Sequence, residues 1–527
     1  MRINLELPEE TRSIVLEPNQ HGGRLTDILR RANLPLNTRC GERMLCKSCV
    51  LDVFRGGEWR KENACRIEVN EEITVRIPAH ALLTYRPQVL SNYRINVPFA
   101  YDPAFGHSGL AAAVDIGTTT VALSLIELSS GRTIGTTTAF NKQMNWGDDV
   151  LTRINLCLTD PSSIAQLQKA VLEETLNPLL DEALVANHRY ISEVKGWMIA
   201  GNTTMLHLAA GVDPSSMGFS PFTPTFLELQ SLESHGLGLH PPHVPVQLLP
   251  GAAAYIGADI TCGVLASGLA YDDGPCLLVD VGTNGEIVLK ANGKLIGCAT
   301  AAGPAFEGSG LRCGIRAGDG AIAHLKICRD PLHVECEMIG GDRLKAIGIC
   351  GSAYIDFLAQ GFRSGLLNAS GRIQKASLPD GDPRLTQGDY GWEFELTKGL
   401  GKRPIVISDP DIARLLQAKA AIAAGIQTLL RRSGIQAKDL KTVYLAGGFG
   451  MHLNIQNALD CGLLPDVRFD QIQLVGNTSL AGATLATVDR STINEISRIG
   501  AEIEIVELNL DPDFEDTYID NLTLDLE

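Results

Sequence analysis

Two stretches far apart in the chain match position by position: LAAAVDIGTTTVALSLIEL at 110–128 and CLLVDVGTNGEIVLKANG at 276–293. Each runs apolar strand, Asp, apolar residue, Gly, Thr, then a second strand, which predicts a β-hairpin with a tight Asp-x-Gly-Thr turn. A duplicated hairpin constrains the fold strongly, because it implies two similar α/β units in one chain. A shorter echo relates MIAGNTTMLHLAAG (198–211) to LVGNTSLAGATLA (474–486), each an apolar strand running into Gly-Asn-Thr and a helix.

Two such hairpins facing each other across a cleft suit the phosphate tail of a nucleotide. Turn N–H groups and Thr hydroxyls donate to phosphate oxygens, and an Asp at each strand end can hold Mg²⁺ directly or through water. On this reading Asp115 and Asp280 are the catalytic acids. Gly117, Thr118, Thr119 and Thr120, with Gly282, Thr283, Asn284 and Gly285, contact phosphate. A third element, TVYLAGGFGMHLN (442–454), is a strand ending in Gly447, Gly448, Phe449 and Gly450. Glycines there let the backbone approach an adenine or ribose closely. Turn aspartates that bond their own backbone are the plainer alternative, as is a Phe449 that packs in the core. Glu286 is either a water- or metal-orienting acid or a solvated hairpin residue. Gly303, Glu307 and Gly308 lie in a glycine-rich loop placed to cover the nucleotide. His207 and His452 read as structural, and Asp148 and Asp149, near Trp146, as an acidic helix N-terminus.

The amino-terminal run RCGERMLCKSCVLDVFRGGEWRKENAC carries Cys40, Cys46, Cys49 and Cys65 in a C-x5-C-x2-C spacing plus a fourth cysteine. Four thiolates converging on a small inorganic core is what a 2Fe-2S cluster requires, although the plant-type first gap is one residue shorter. Zinc is the main rival, but Cys65 lacks the close partner of a second C-x2-C half-site. GGRLTDILRRANLPL places Leu25, Ile28, Leu29 and Ala32 at helical spacing. MRINLELPE, TRSIVLEP, VLDVF and EEITVRIP read as strands, the order of a small β-grasp ferredoxin. The other nine cysteines are scattered singly and read as small buried hydrophobes.

At 527 residues the chain exceeds one core, so two to four domains are expected. A net charge of −16 argues against nucleic acid or an anionic membrane as partner. The absence of a signal sequence or long apolar run points to the cytoplasm and a reducing compartment. The expected division is 1–78 ferredoxin-like, 79–109 a movable connector, 110–212 a first lobe and 213–527 a second.

The trio VDIGTTT, VDVGTNGE and LAGGFG resembles the phosphate-1, phosphate-2 and adenosine motifs of the acetate kinase, sugar kinase, Hsp70 and actin superfamily. That resemblance implies an α/β fold of two ribonuclease-H-like lobes closing on ATP, behind an α+β β-grasp ferredoxin domain. The fusion resembles the reductive activators of corrinoid proteins, as do NKQMNWGDDVLTRI (141–154), GPAFEGSGLRCGIRAGDGAI (303–322), GICGSAYIDFLAQGF (348–362) and KAAIAAGIQTLLRRSGI (419–435). The chain reads as shorter than typical members of that family, and its tail PDFEDTYIDNLTLDLE keeps only part of their carboxy-terminal pattern.

The resemblance implies ATP-dependent reductive activation: one electron passes from the cluster to Co(II), regenerating Co(I) for methyl transfer. It implies a corrinoid protein of a methyltransferase system as partner, a low-potential cellular electron donor, and a homodimer. A small-molecule kinase with a redox-sensing domain and a nucleotide-independent electron carrier are the alternatives. The first needs a positioned base near the transferred phosphate, which no further motif supplies.

Overall fold

A computed structural model of the chain describes residues 1–7, 10–16, 22–32, 34, 36, 49–77, 93–329, 332–341, 343–379 and 381–524. Cys40 and Cys46 lie outside them, as does the expected connector between 79 and 92.

In the amino-terminal module, alternation puts Ile3 and Leu5, Leu51 and Val53, and Ile73 and Val75 on one buried face, the period-two signature of half-buried strands. The five strands are ordered Thr11–Val15, Arg2–Glu6, Ile73–Arg76, Val50–Arg55, Glu58–Asn63. The first and last in sequence lie side by side and parallel, with Ile3 beside Ile73, and the other pairings are antiparallel. Helix Leu25–Arg31 lays Leu25, Ile28 and Leu29 into the resulting core.

Both hairpins form. Leu110–Ile116 pairs with Thr120–Glu127, and Cys276–Val281 with Gly285–Ala291. Each continues into a third antiparallel strand, Arg132–Phe140 and Lys294–Thr300. Each first strand also takes a parallel neighbour, Val194–Gly201 in one sheet and Thr442–Ala446 in the other. A further parallel strand follows, Pro245–Leu248 and Ile472–Gly476 respectively. The two sheets therefore repeat the same five-strand plan, each with one extra edge strand, Gln230–Glu233 and Ile503–Ile505.

This plan corrects three expectations. Strands Gln230–Glu233 and Pro245–Leu248 belong to the first sheet, so the first lobe runs well past residue 212. The Gly-Asn-Thr echo does not follow the duplication. Val194–Gly201 is equivalent to Thr442–Ala446, whereas Ile472–Gly476 is equivalent to Pro245–Leu248. Residues 93–109, expected to be a loose connector, are strapped across both lobes. Arg94, Asn96, Asp102 and Ala104 donate backbone N–H groups to Val475, Ala266, Val488 and Thr487 carbonyls at 2.9–3.3 Å. Phe105 fills the space above Gly196, where a Cβ would lie 2.4 Å from its ring.

The lobes meet through helices Ala258–Ala266 and Thr478–Val488, each following its sheet's outer parallel strand. Glycines set how closely these helices approach. A Cβ on Gly482 would sit 2.3 Å from Cys262 Cβ, and one on Gly263 would sit 2.8 Å from Thr478 Oγ1. Helix Asp409–Ser433 backs the second sheet; Ser408 and Asp411 form its capping box and Gly434, with φ of 66°, ends it. Of the scattered cysteines, Cys157, Cys262, Cys276, Cys298, Cys350 and Cys461 are buried, while Cys313, Cys328 and Cys336 are half-buried. Among the described residues no helix is long and apolar enough to cross a membrane.

Overpacking a close-packed crossing costs about 1–3 kcal/mol. Gly482→Val should lower stability by that amount in denaturant melts of the two-lobed part; an unchanged midpoint would mean the helices tolerate separation.

Candidate functional site

The repeated plan carries the two hairpin aspartates to equivalent places. Asp115 lies beside Ala200 of its parallel neighbour, and Asp280 beside Ala446 of its own. Both face one cavity of about 240 Å³ between the lobes. Gly117, Thr118, Thr119 and Thr120 line it from the first turn, and Gly282, Thr283 and Asn284 from the second. Gly447, Gly448 and Phe449 line it from the third motif. Gly447 has φ of 85° and touches the acid directly: a Cβ there would be 2.5 Å from Asp280 Oδ1. Two expected contacts fall elsewhere. Gly285 and Gly450 are buried and turned toward the core, where a Cβ would meet Thr300 Oγ1 at 2.6 Å and the Leu445 side chain at 2.9 Å. Both make room for packing. Phe449 serves two surfaces, lining the cavity while stacking on buried Phe306 with ring centroids 5.1 Å apart.

The acid cluster is larger than the two hairpin aspartates. Asp259, in the first turn of helix Ala258–Ala266, and Glu286, across the hairpin from Asp280, face the same cavity. Burial pushes the Asp280 carboxyl up to about 7, reinforced by Asp115. It pushes Asp259 to about 8, with the charges of Asp280 and Asp115 adding to it. Glu286 is raised well above the ordinary range by burial and then by Asp259 and Asp280. Asp115 is raised by burial, but two donors oppose this. Ser479 Oγ donates to it at 2.7 Å and Asn477 Nδ2 at 2.9 Å. Asn477 also caps helix Thr478–Val488 by accepting the Leu480 N–H at 2.8 Å. Asn202 plays the matching part from the first lobe, capping helix Thr203–Ala210 while donating to Thr118 Oγ1 at 3.0 Å. The Gly-Asn-Thr echo thus marks two caps that also support the first turn and its acid.

Sequence reasoning missed Asp259, Asn477, Ser479 and Arg153. Arg153 is fully buried beneath the first turn and donates to the carbonyls of Thr118 at 2.5 Å and Gly147 at 2.9 Å, and to Gln143 Oε1 at 2.9 Å. Burial lowers its guanidinium to about 10, so it stays charged at neutral pH. Asp149 caps the helix that carries it, accepting the Thr152 N–H at 2.7 Å. His207 is structural: fully buried, it bonds the Thr203 carbonyl at 2.8 Å, accepts the Thr225 N–H at 3.0 Å and stacks on Phe226. His452 lines the cavity. Four facing carboxylates offer the hard oxygen donors that suit Mg²⁺ and require a cation or protons to coexist.

The second cluster of interest lies in the amino-terminal module. Cys49 precedes strand Val50–Arg55, and Cys65 sits in the turn Ala64–Arg66; the Ala64 N–H donates to the Cys49 carbonyl at 2.8 Å and pins the two segments together. Both side chains are buried and their Sγ atoms are 3.4 Å apart. That separation exceeds the roughly 2.05 Å of a disulfide. It approaches the roughly 3.8 Å between two thiolates sharing one tetrahedral metal at about 2.3 Å. The pair fits a shared metal.

Paired sheets of one plan, each sending an Asp-x-Gly-Thr hairpin to a common cleft, have the fold of the acetate kinase, sugar kinase, Hsp70 and actin class. Residues 274–527 match the family model for the C-terminal domain of RACo, the ASKHA domain, and residues 110–272 match that for the RACo middle region. The corrinoid activation enzyme RamQ of Eubacterium limosum is 27% identical over 580 residues, covering 94% of this chain and 95% of that one. A Co(II) methylated amine-specific corrinoid protein reductase of Methanosarcina barkeri is 25% identical over 421 residues, 74% of this chain and 72% of its own. The solved structure of a reductive activator for a corrinoid, iron–sulfur protein aligns with a TM-score of 0.73 at 29% identity, covering 99% of this chain and 98% of that one. The chain belongs to the RACo family, the reductive activators of corrinoid proteins.

Unfolded aspartates titrate near 3.9, so the folded cluster holds extra protons between roughly pH 4 and 8. Stability without divalent cation therefore falls as pH rises through that window. A cation must displace those protons, so its affinity rises with pH. Thermal melts should show a lower midpoint at pH 8 than at pH 6 without Mg²⁺, and greater stabilisation by Mg²⁺ at pH 8. A pH-independent Mg²⁺ effect would count against the cluster as its site.

Proposed function

We propose that the chain is an ATP-dependent reductive activator that delivers one electron to the Co(II) of a corrinoid protein, restoring the Co(I) state used in methyl transfer. The observation that carries this reading is the meeting of both hairpin turns at one acid-lined cavity, in a chain resembling a reductive activator along nearly its whole length. The turn hydroxyls and N–H groups hold the ATP phosphates, and Gly447, Gly448 and Phe449 accept the adenosine. Asp115, Asp259, Asp280 and Glu286 are the groups that would hold Mg²⁺, which neutralises phosphate charge when bound. Before it binds, the same acids keep protons inside the cavity.

Residues 1–78 are the electron-carrying module, a β-grasp ferredoxin-type unit. Its mixed sheet with parallel central strands, the helix across it and the adjacent Cys49 and Cys65 thiols support that assignment. With Cys40 and Cys46 these two residues would hold a 2Fe-2S cluster, which supplies a one-electron carrier when bound. A low-potential cellular donor reloads it. Plant-type clusters lie near about −400 mV, and an uphill gap of ~100 mV costs about 2.3 kcal/mol per electron. ATP can cover such a gap if the lobes hold the corrinoid protein differently in different nucleotide states, because a ligand bound equally to all states shifts nothing.

Reduced protein, a Co(II) corrinoid protein and ATP should together yield the Co(I) absorption band. Asp280→Ala should cut its rate at least ~100-fold, the scale of losing a key electrostatic group, while leaving the visible spectrum of the amino-terminal module intact. Undiminished Co(I) formation in that variant would overturn the ATP requirement.

Cys65→Ser tests the cluster assignment. Purified under anaerobic conditions, it should lose most of its iron and sulfide and its visible absorption. A spectrum and metal content equal to the parent would exclude Cys65 as a ligand.

A further inference from the structure

The two hairpin turns are joined by a carboxylate. Glu307 Oε1 accepts from Thr283 Oγ1 at 2.7 Å, and Glu307 Oε2 accepts from Thr119 Oγ1 at 2.9 Å. The two threonine oxygens are 3.4 Å apart and both residues are buried. Arg316 Nε lies 3.7 Å from the same carboxylate. An anionic pair of acceptor oxygens therefore sits on hydroxyls from both lobes with a guanidinium alongside, the surroundings that a phosphoryl group would use. We propose that Glu307 is an internal phosphate mimic, which the terminal phosphates of a nucleoside triphosphate must displace to bridge the two turns. The inference rests on reading the cavity as an ATP site.

The backbone around Glu307 suits a residue held in one place yet able to leave. It ends a short turn, Pro304–Glu307, flanked by Gly303 and Gly308 at φ of 71° and 73°. Gly308 abuts Ile315, whose backbone O would lie 2.4 Å from a Cβ there. The preceding residue, Phe306, stacks on Phe449 of the third motif, and its carbonyl oxygen crowds Gly351. One turn thus touches the phosphate loops through Glu307 and the adenosine strand end through Phe306. Glu307 and a polyphosphate cannot share the hydroxyls, since like charges at that range repel. Phosphate entry consequently expels Glu307 and shifts the turn, so the segment from 303 to 316 reports which nucleotide is bound.

A binding site that an internal group occupies part of the time shows reduced apparent affinity, in proportion to the fraction that is free. Calorimetric titration with the non-hydrolysable β,γ-imido analogue of ATP should give about tenfold tighter binding to Glu307→Gln than to the parent, about 1.4 kcal/mol. AMP, which has no phosphate to bridge the turns, should bind both equally. Glu307→Asp, too short to span both threonines, should shift in the same direction and guards against a folding defect in the first variant. Equal or weaker analogue binding by both variants would overturn the role of Glu307 while leaving the ATP site standing. No nucleotide binding by the parent would overturn the ATP reading and this proposal together.

Discussion

Four carboxylates face one desolvated cavity, and that electrostatic constraint organises the rest of the site. Isolated charges are costly to bury, so Asp115, Asp259, Asp280 and Glu286 cannot all stay ionised without compensation. Asp115 receives two side-chain donors, Ser479 and Asn477. Burial raises the other three, which hold protons more readily than exposed acids and would release them to a bound cation. The neighbouring features keep the acids close: Gly447 admits a strand end against Asp280, Asn202 and Arg153 brace the first turn, and Gly482 lets the two central helices touch.

The same arrangement ties the cavity to other parts of the molecule. Thr119 belongs to the first lobe and Thr283 to the second, and they share one carboxylate. Helices Ala258–Ala266 and Thr478–Val488 start at the acid cluster and end near the strap. Asn96 bonds the end of the first, at Ala266 and Ser267, and Asp102 bonds the end of the second at Val488. Residues 93–104, the chain segment leading back toward the cysteine module, are thereby bonded to the ends of both central helices.

Much of this was legible in the sequence because hairpins are local. The spacing of Asp, Gly and Thr, with apolar strands on either side, fixes turn and register together, and the copy at Asp280 doubled the signal. The proximity of Cys49 and Cys65 was readable from their spacing, and their Sγ atoms lie 3.4 Å apart. Asp259 was not, because it is a single acid in an otherwise apolar helix outside the hairpin motifs and reaches the cavity only through the lobe crossing. Asn477 and Ser479 were visible but paired with the wrong partner: similar Asn caps occur on strands that are not equivalent in the sheets. Gly285 and Gly450 share the motif's glycines yet serve core packing, a distinction set by tertiary neighbours. The first lobe was cut short at 212 because its sheet is completed by strands that return after several helices. Residues 93–109 lack periodicity since their bonds run to distant backbone.

If ATP drives the proposed electron transfer, its effect is visible in a redox titration of the complex between this chain and a Co(II) corrinoid protein, monitored at the Co(I) band with and without ATP. At an ambient potential where little Co(I) forms without nucleotide, ATP should raise the Co(I) fraction as if the couple moved by ~100 mV, a change of about 2.3 kcal/mol. Superimposable titration curves with and without ATP would contradict it.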